Sequence, residues 1–308
     1  MLFKKYIIDI PADVPSDMEA EFSTNYAAIT KKTNHLFMLA CDQKMEHLNN
    51  DFYGTDIHPD ALHAEHIFNI AKQGYIGALA TNLGLIARYG KKYPKIPYIA
   101  KLNGKTDLVQ VLQKDPYSKQ LWTVADAVAL KEEHEINICG VGYTLYLGSE
   151  YESEMLSQAA RIINDAHRNG LVTIIWIYAR GKSIKDDETG QLIAGAAGLA
   201  ATLGSDFVKV KPPHESDNLS SHQWLKIAAA AAGNTKVICA GGKKVSPELL
   251  LKTIEEQITQ GSTAGCAIGR NIFQHSLTEA VAITKAIGSV VYDNKSVEQA
   301  LKYVQGKK

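Results

Sequence analysis

Eight short apolar runs, set apart by stretches with the apolar spacing of helices, constrain this chain more than any other feature. The runs cover residues 35–42, 77–81, 97–102, 136–144, 171–179, 206–211, 236–240 and 264–269. Each has the length of a strand, and strands that alternate with helices are normally covered on both faces of a parallel sheet. Helical stretches that stop at a glycine lie between most of them: residues 61–74, 153–170, 191–204, 222–233 and 246–261. The last opens with Ser246 as N-cap, Pro247 in the first turn and Glu248 behind it, a helix start with a physical reason at each position. Eight strand-plus-helix units predict an α/β fold, a single closed (β/α)₈ TIM barrel, in preference to an open doubly wound sheet.

Such barrels routinely form one domain of about 250 residues, and the surplus in this 308-residue chain precedes the first run. Residues 1–34 contain Pro11, Pro15 and a helical stretch over 19–32, and read as an N-terminal extension packing on the barrel; residues 35–308 read as the catalytic barrel domain. The 33 basic and 33 acidic side chains cancel, which removes a bulk field for nucleic acid or an anionic membrane and leaves a small molecule as the expected partner. Cys41, Cys139, Cys239 and Cys266 each sit in an apolar run without CxxC spacing, as expected of reduced, buried thiols in a cytoplasmic protein. Asp9 and Pro11 interrupt the first apolar stretch before a signal or membrane segment could form, and no later stretch is long and apolar enough to span a bilayer.

Chemistry in these barrels gathers where strands end on their C-terminal side. In chain order those positions are Asp42 with Glu46 and His47, Asn82, Lys101 with Asn103, Tyr143 to Tyr146, Trp176 with Tyr178 and Arg180, Lys209 with Lys211, Gly241 with Gly242, and Gly269 with Arg270. The glycine turns CAGGKK and AIGRN follow the seventh and eighth runs, where backbone N–H groups commonly hold a phosphate, and Arg270 adds a fork of donors. GGKKVS lacks P-loop spacing, and GVGYTL lacks the third glycine of a dinucleotide fingerprint.

The run DFVKVK puts Phe207, Lys209 and Lys211 on one strand face and Val208 and Val210 on the other. A lysine amine in an apolar pocket beside another cation has its neutral form favoured, as a Schiff-base nucleophile requires; spacing leaves open which lysine that is. Trp176 and Tyr178 share a face of the preceding strand, so a phenol acid or base can stand across the pocket, while Asp42 and Glu46 offer carboxylates. Together with a phosphate cradle, these groups suit carbon–carbon cleavage in a ketose phosphate. His58, His63 and His66 are the competing, zinc-binding possibility, but the spacing lacks HExxH and reads as a solvated helix face, so no metal is expected.

The segments CDQKMEH, KLNG, YLGSEYE, WIYARG, DFVKVK, AGG and GRNIFQ occur in this order from about His35 to Gln274. In that combination the chain resembles the archaeal-type class I fructose-bisphosphate aldolases, relatives of the deoxyribose-phosphate aldolases. The resemblance implies that Lys209 forms the imine with the ketose C2, Tyr178 handles proton transfer at the carbon from which the bond breaks, Trp176 shapes the pocket and Asp42 orients or deprotonates the C4 hydroxyl. It also implies that Ala240, Gly241, Gly242, Gly269 and Arg270 hold the C1 phosphate, that Arg180 meets the other phosphate and that Lys211 serves the substrate site. It implies a glycolytic and gluconeogenic lyase with no metal or other cofactor, in a homo-oligomer that is commonly a decamer.

Three departures stand out: Lys44 where the family usually has glycine, Ala240 where a serine is common, and Ala179 in place of a proline. The family's acidic residue beyond the imine lysine matches either Glu215 or Asp217. The rival readings are a lysine-dependent transaldolase-like synthase or thiolase acting on another phosphorylated ketone, and a non-catalytic sugar-phosphate binder.

Overall fold

The structure, a computed structural model, describes residues 6, 8–46, 51–108 and 115–306. Eight parallel strands close into a barrel: β1 (Leu36–Ala40), β2 (Ala78–Asn82), β3 (Tyr98–Lys101), β4 (Ile138–Leu147), β5 (Val172–Ala179), β6 (Phe207–Val210), β7 (Lys236–Ala240) and β8 (Gly265–Ile268). Each pairs with its successor in the chain, and β8 closes on β1 with Leu36 opposite Gly265. The right-handed strand–helix–strand connection makes this order the natural outcome of the alternation.

Alternate residues of each strand divide the core in two. One set, including Phe37, Leu39, Leu79, Val208 and Val210, packs outward against helices through residues such as Ile193, Ala196 and Leu250. The other set fills the barrel axis, with Met38, Ile99, Ile174, Trp176, Phe207 and Ile238 as its bulk. Ala40, Ala80 and Ala267 on the same inner face are small, and so the axis is less filled toward the C-terminal ends of the strands.

The opposite end is sealed by the helix Glu19–Thr30, whose Phe22, Tyr26 and Ile29 enter the axial core. Tyr26 stacks on Phe207 at 5.5 Å, and Asn25 Nδ2 donates to the Gly170 carbonyl at 2.8 Å. His167 fastens this floor: its Nδ1 lies 2.8 Å from Asp13 and its Nε2 3.2 Å from Asp206, whose carboxylate also accepts from the Thr173 backbone N–H and hydroxyl. Burial alone lowers the His167 pKa, but the carboxylates of Asp206 and Asp13 reverse this and leave it above the ordinary histidine value.

Most helix boundaries follow their sequence signals. Ser246 caps the helix Pro247–Thr259 by accepting from the Leu249 N–H, and Gly190–Leu203 ends at Gly204 with φ of +86°. Residues 61–74 do not form one helix. A 3₁₀ turn, Pro59–Leu62, breaks at His63, which adopts an extended backbone, before the helix Glu65–Gln73 begins. β4 runs to Leu147, beyond its apolar pattern, because it pairs with β5 through Leu147 opposite Ala179. A two-residue ribbon, Asn103–Gly104 with Lys119–Gln120, follows β3. The four cysteines are buried and free, and among the described residues no helix is long and apolar enough to cross a membrane.

Candidate active site

At the C-terminal ends of the strands a cavity of about 150 Å³ is lined by residues that the chain supplies from β1 and from β4 to β8. Register builds its inner wall: Thr144 of β4 is opposite Trp176 of β5, which is opposite Lys209 of β6, and one step higher Tyr146 faces Tyr178. Lys209 is only 5% exposed. Asp42, Trp176, Tyr178, Arg180, Lys211, Ala240, Gly241, Gly242, Gly269 and Arg270 line the same cavity, so the residues to which the resemblance gives roles are brought together here.

Beneath them lies a lysine that the sequence reading placed at a strand end and gave no role. Lys101, the last residue of β3, is fully buried and its Nζ is 2.9 Å from Asp42 Oδ2. Both amines use the same indole: Lys101 Nζ is 5.1 Å and Lys209 Nζ 5.7 Å from the centre of the Trp176 ring. Burial alone would push the Asp42 carboxyl up, but the charges of Lys101 and then Lys209 hold it down at about 2. The indole fits because β4 has Gly142 beneath it; a Cβ there would stand 2.0 Å from a ring carbon of Trp176.

The mouth of the cavity is cationic. The Arg180 guanidinium lies over Tyr146 at 5.5 Å and Tyr178 at 5.7 Å. Arg270 donates to the Gly242 carbonyl at 3.0 Å and approaches Asp51 at 3.7 Å. Gly242 has φ of +65°, a turn conformation that favours glycine. The N–H of Gly241 is committed to Ala267 O. Asn271, 2% exposed, ties the two glycine turns together: its amide donates to the carbonyls of Gly241 and Lys243, and its oxygen accepts from the Val245 N–H. The GRNIFQ segment contained this residue, but only the fold shows what it bridges.

Several expectations are corrected. Lys211 is not a bare cation beside Lys209, because its ammonium pairs with Asp187 and with Glu188 at 3.1 Å, both from the loop after β5; the deep second cation is Lys101. Those two carboxylates, rather than Glu215 or Asp217, meet the lysine strand; Glu215 and Asp217 are exposed and away from the cavity lining. Lys44 turns from the cavity, lies over the Phe52 ring at 4.1 Å and donates to the Leu62 carbonyl at 3.1 Å. Asn103 is a rivet, donating to Ser118 O and Thr144 O and accepting from the Thr144 N–H. Tyr143 faces outward to Gln158. The Glu46 side chain and His47 lie outside the described residues. His66 is buried against the His275 carbonyl instead of on a solvated face, His63 is exposed, and His58 accepts from the Asp60 N–H. Among the described residues no three His, Cys, Asp or Glu side chains are grouped to hold a metal ion.

Residues 36–275, the whole barrel from β1 past β8, match the DeoC/LacD family aldolases. The chain belongs to this family. It is therefore an aldolase, a lyase. The fructose-bisphosphate aldolase/6-deoxy-5-ketofructose 1-phosphate synthase of Methanocaldococcus jannaschii is 50% identical over 303 residues, which is 98% of this chain and 96% of that protein. The structure of the fructose-bisphosphate aldolase from Slackia heliotrinireducens has a TM-score of 0.95 at 45% identity, covering 99% of this chain and 96% of that one. An archaeal fructose-1,6-bisphosphate aldolase, solved with its catalytic lysine covalently bound to the carbinolamine intermediate, has a TM-score of 0.73 at 30% identity over 88% of this chain and 99% of that one.

Proposed function

We propose that this aldolase reversibly cleaves fructose 1,6-bisphosphate to glycerone phosphate and glyceraldehyde 3-phosphate through an imine at Lys209. The observation that carries the reading is the placement of Lys209: a lysine 5% exposed, in register with Trp176, in a cavity shared with Tyr178, Asp42 and three further cationic side chains. A buried amine and a cationic rim are what a carbonyl nucleophile and two phosphates need.

In this reading the Lys209 amine adds to the C2 carbonyl, and the carbinolamine hydroxyl takes up a proton and leaves as water, giving the iminium. Asp42 takes the proton of the C4 hydroxyl as the C3–C4 bond breaks, and the bonding electrons move into the iminium to give an enamine. The aldehyde departs, Tyr178 returns a proton to C3 of the enamine, and water hydrolyses the imine to release glycerone phosphate and Lys209. Gly242, Gly269 and Arg270 hold the C1 phosphate, and Arg180 with Lys211 receives the other.

Borohydride reduction in the presence of glycerone phosphate, followed by peptide mass mapping, tests this. The label is expected on Lys209, with cleavage retained in a chelator; active enzyme without label at Lys209 refutes it. The second name of the M. jannaschii relative favours one other reading, a synthase that uses the same imine to join a sugar-derived fragment to a different aldehyde. Faster turnover with such an acceptor than in bisphosphate cleavage would select it.

A further inference from the structure

We infer that Lys101 is a positioning residue for Asp42: its ammonium fixes one carboxylate oxygen so that the group stays ionised and directed at the cavity across from Lys209. This rests on the reading of the cavity as the aldolase site. Lys101 has no exposed surface and stands at the end of β3, level with Asn82 of β2 and Gly142 of β4, beneath the Trp176 indole. Stability does not account for an ammonium there. Desolvating a cation to pair it with a carboxylate gains little over an apolar side chain of the same length. What the pair provides is a carboxylate whose orientation is set before substrate arrives.

The groups around Asp42 leave this task to Lys101. Lys209 reaches it from β6, but in the proposed reaction that amine becomes an imine and its interaction with Asp42 changes at every step. The adjacent Cys41 thiol is kept protonated by burial. Lys44 is engaged with Ala61 and Leu62 carbonyls, and the Asn82 amide is directed at Met45 Sδ. Lys101 is the cation paired with Asp42 that takes no part in the proposed reaction, and it is the first cause, ahead of Lys209, that holds the Asp42 carboxyl down.

The test uses the full chain and four variants: Lys101→Met, Lys101→Arg, Asp42→Asn, and Lys101→Met with Asp42→Asn. Thermal melts, adduct trapping with glycerone phosphate, and kcat and KM against pH are read for each. Lys101→Met is expected to fold and to trap the ketone at Lys209, while kcat falls by about 100-fold and KM changes by less than about threefold. Its acid limb is expected to move up by more than about one pH unit, because Asp42 loses the charge that keeps it ionised. In the Asp42→Asn background the same change is expected to cost less than about threefold more, since it acts through a group already removed. Lys101→Arg is expected to keep the wild-type acid limb. An unmoved acid limb in Lys101→Met, or losses that multiply in the double variant, overturns the inference. If Lys101→Met does not fold, Lys101→Arg decides through its own cycle with Asp42→Asn, where multiplying losses again overturn it. Failure of the wild-type enzyme to trap at Lys209 would instead sink the functional reading, independently of Lys101.

Discussion

Gly142→Ala is the sharpest probe of how this site is built, because the substitution adds one methyl group and touches no catalytic atom. The new Cβ would lie 2.0 and 2.3 Å from two carbons of the Trp176 ring. Restoring an ordinary carbon–carbon contact requires the indole to move by about 1.4 Å. Trp176 is 1% exposed and borders only the site cavity, so the indole moves either against its core neighbours or into the cavity, and overpacking of this kind costs about 1–3 kcal/mol. For a chain of this size that is a fall of several degrees in melting temperature, at about 2–4 °C per kcal/mol. The catalytic effect should be larger, since both Lys101 and Lys209 lie over the displaced ring. A shift of about 1 Å in a positioned group can lower the rate about 100-fold. Steady-state kinetics and a thermal melt on the same preparation measure both effects, and Trp176→Phe in the same background should restore much of the stability by removing the clashing ring. A Gly142→Ala enzyme with an unchanged melt and kcat/KM within about threefold of wild type would refute the claim that this glycine makes room for the indole.

Two further outcomes follow from the scaffolding around the cavity. Asn271→Ala removes three hydrogen bonds that tie the glycine turns together, and is expected to raise KM for phosphorylated substrate by about tenfold or more while changing kcat less, with inhibition by inorganic phosphate weakening in parallel; unchanged phosphate inhibition would show that the turns hold their shape alone. His167 has a folded-state pKa above its unfolded value of about 6.5, so its contribution is fully present below that pH and is lost as pH rises through the folded value. The wild-type melt should therefore fall over this interval, and that of His167→Gln should not; parallel curves would contradict the assignment.

The strands and the cavity were legible in the sequence for one reason: a barrel converts chain order into geometry. Once the apolar runs are counted, every strand end is known to face one rim, and Asp42, Trp176, Tyr178, Lys209 and Arg270 converge there without any distance being known. What was not legible depended on contacts between distant segments. Lys101 is a strand-end lysine like many others until the fold brings it to Asp42, 59 positions earlier, and sets its ammonium against the Trp176 ring. Lys211 looked like a bare charge because its carboxylates come from a loop more than 20 positions before it, with no local pattern to announce them. His66 looked solvated because the carbonyl that receives it lies 209 positions away. The extension of β4 to Leu147 was likewise invisible, since strand length there is set by β5 and not by the residues of β4.

These contacts separate the charges of the cavity into two classes with different physical behaviour. Asp42, Lys101 and Lys209 are almost fully removed from water, where pairing is compulsory and a small displacement changes the energy steeply. Arg180, Lys211 and Arg270 remain partly exposed, and each already has a partner that solvent or an incoming anion can replace: tyrosine faces for Arg180, Asp187 and Glu188 for Lys211, Asp51 and a carbonyl for Arg270. Under the proposed function, an arriving phosphate would exchange one set of screened contacts for a better set, which gives selective but reversible holding. The Lys101–Asp42 pair at the bottom has no such solvent exchange open to it, and its geometry has to be correct before binding. That is why Gly142, Trp176 and Lys101, none of which carries the reacting bond, weigh as heavily on the proposed chemistry as the residues that do.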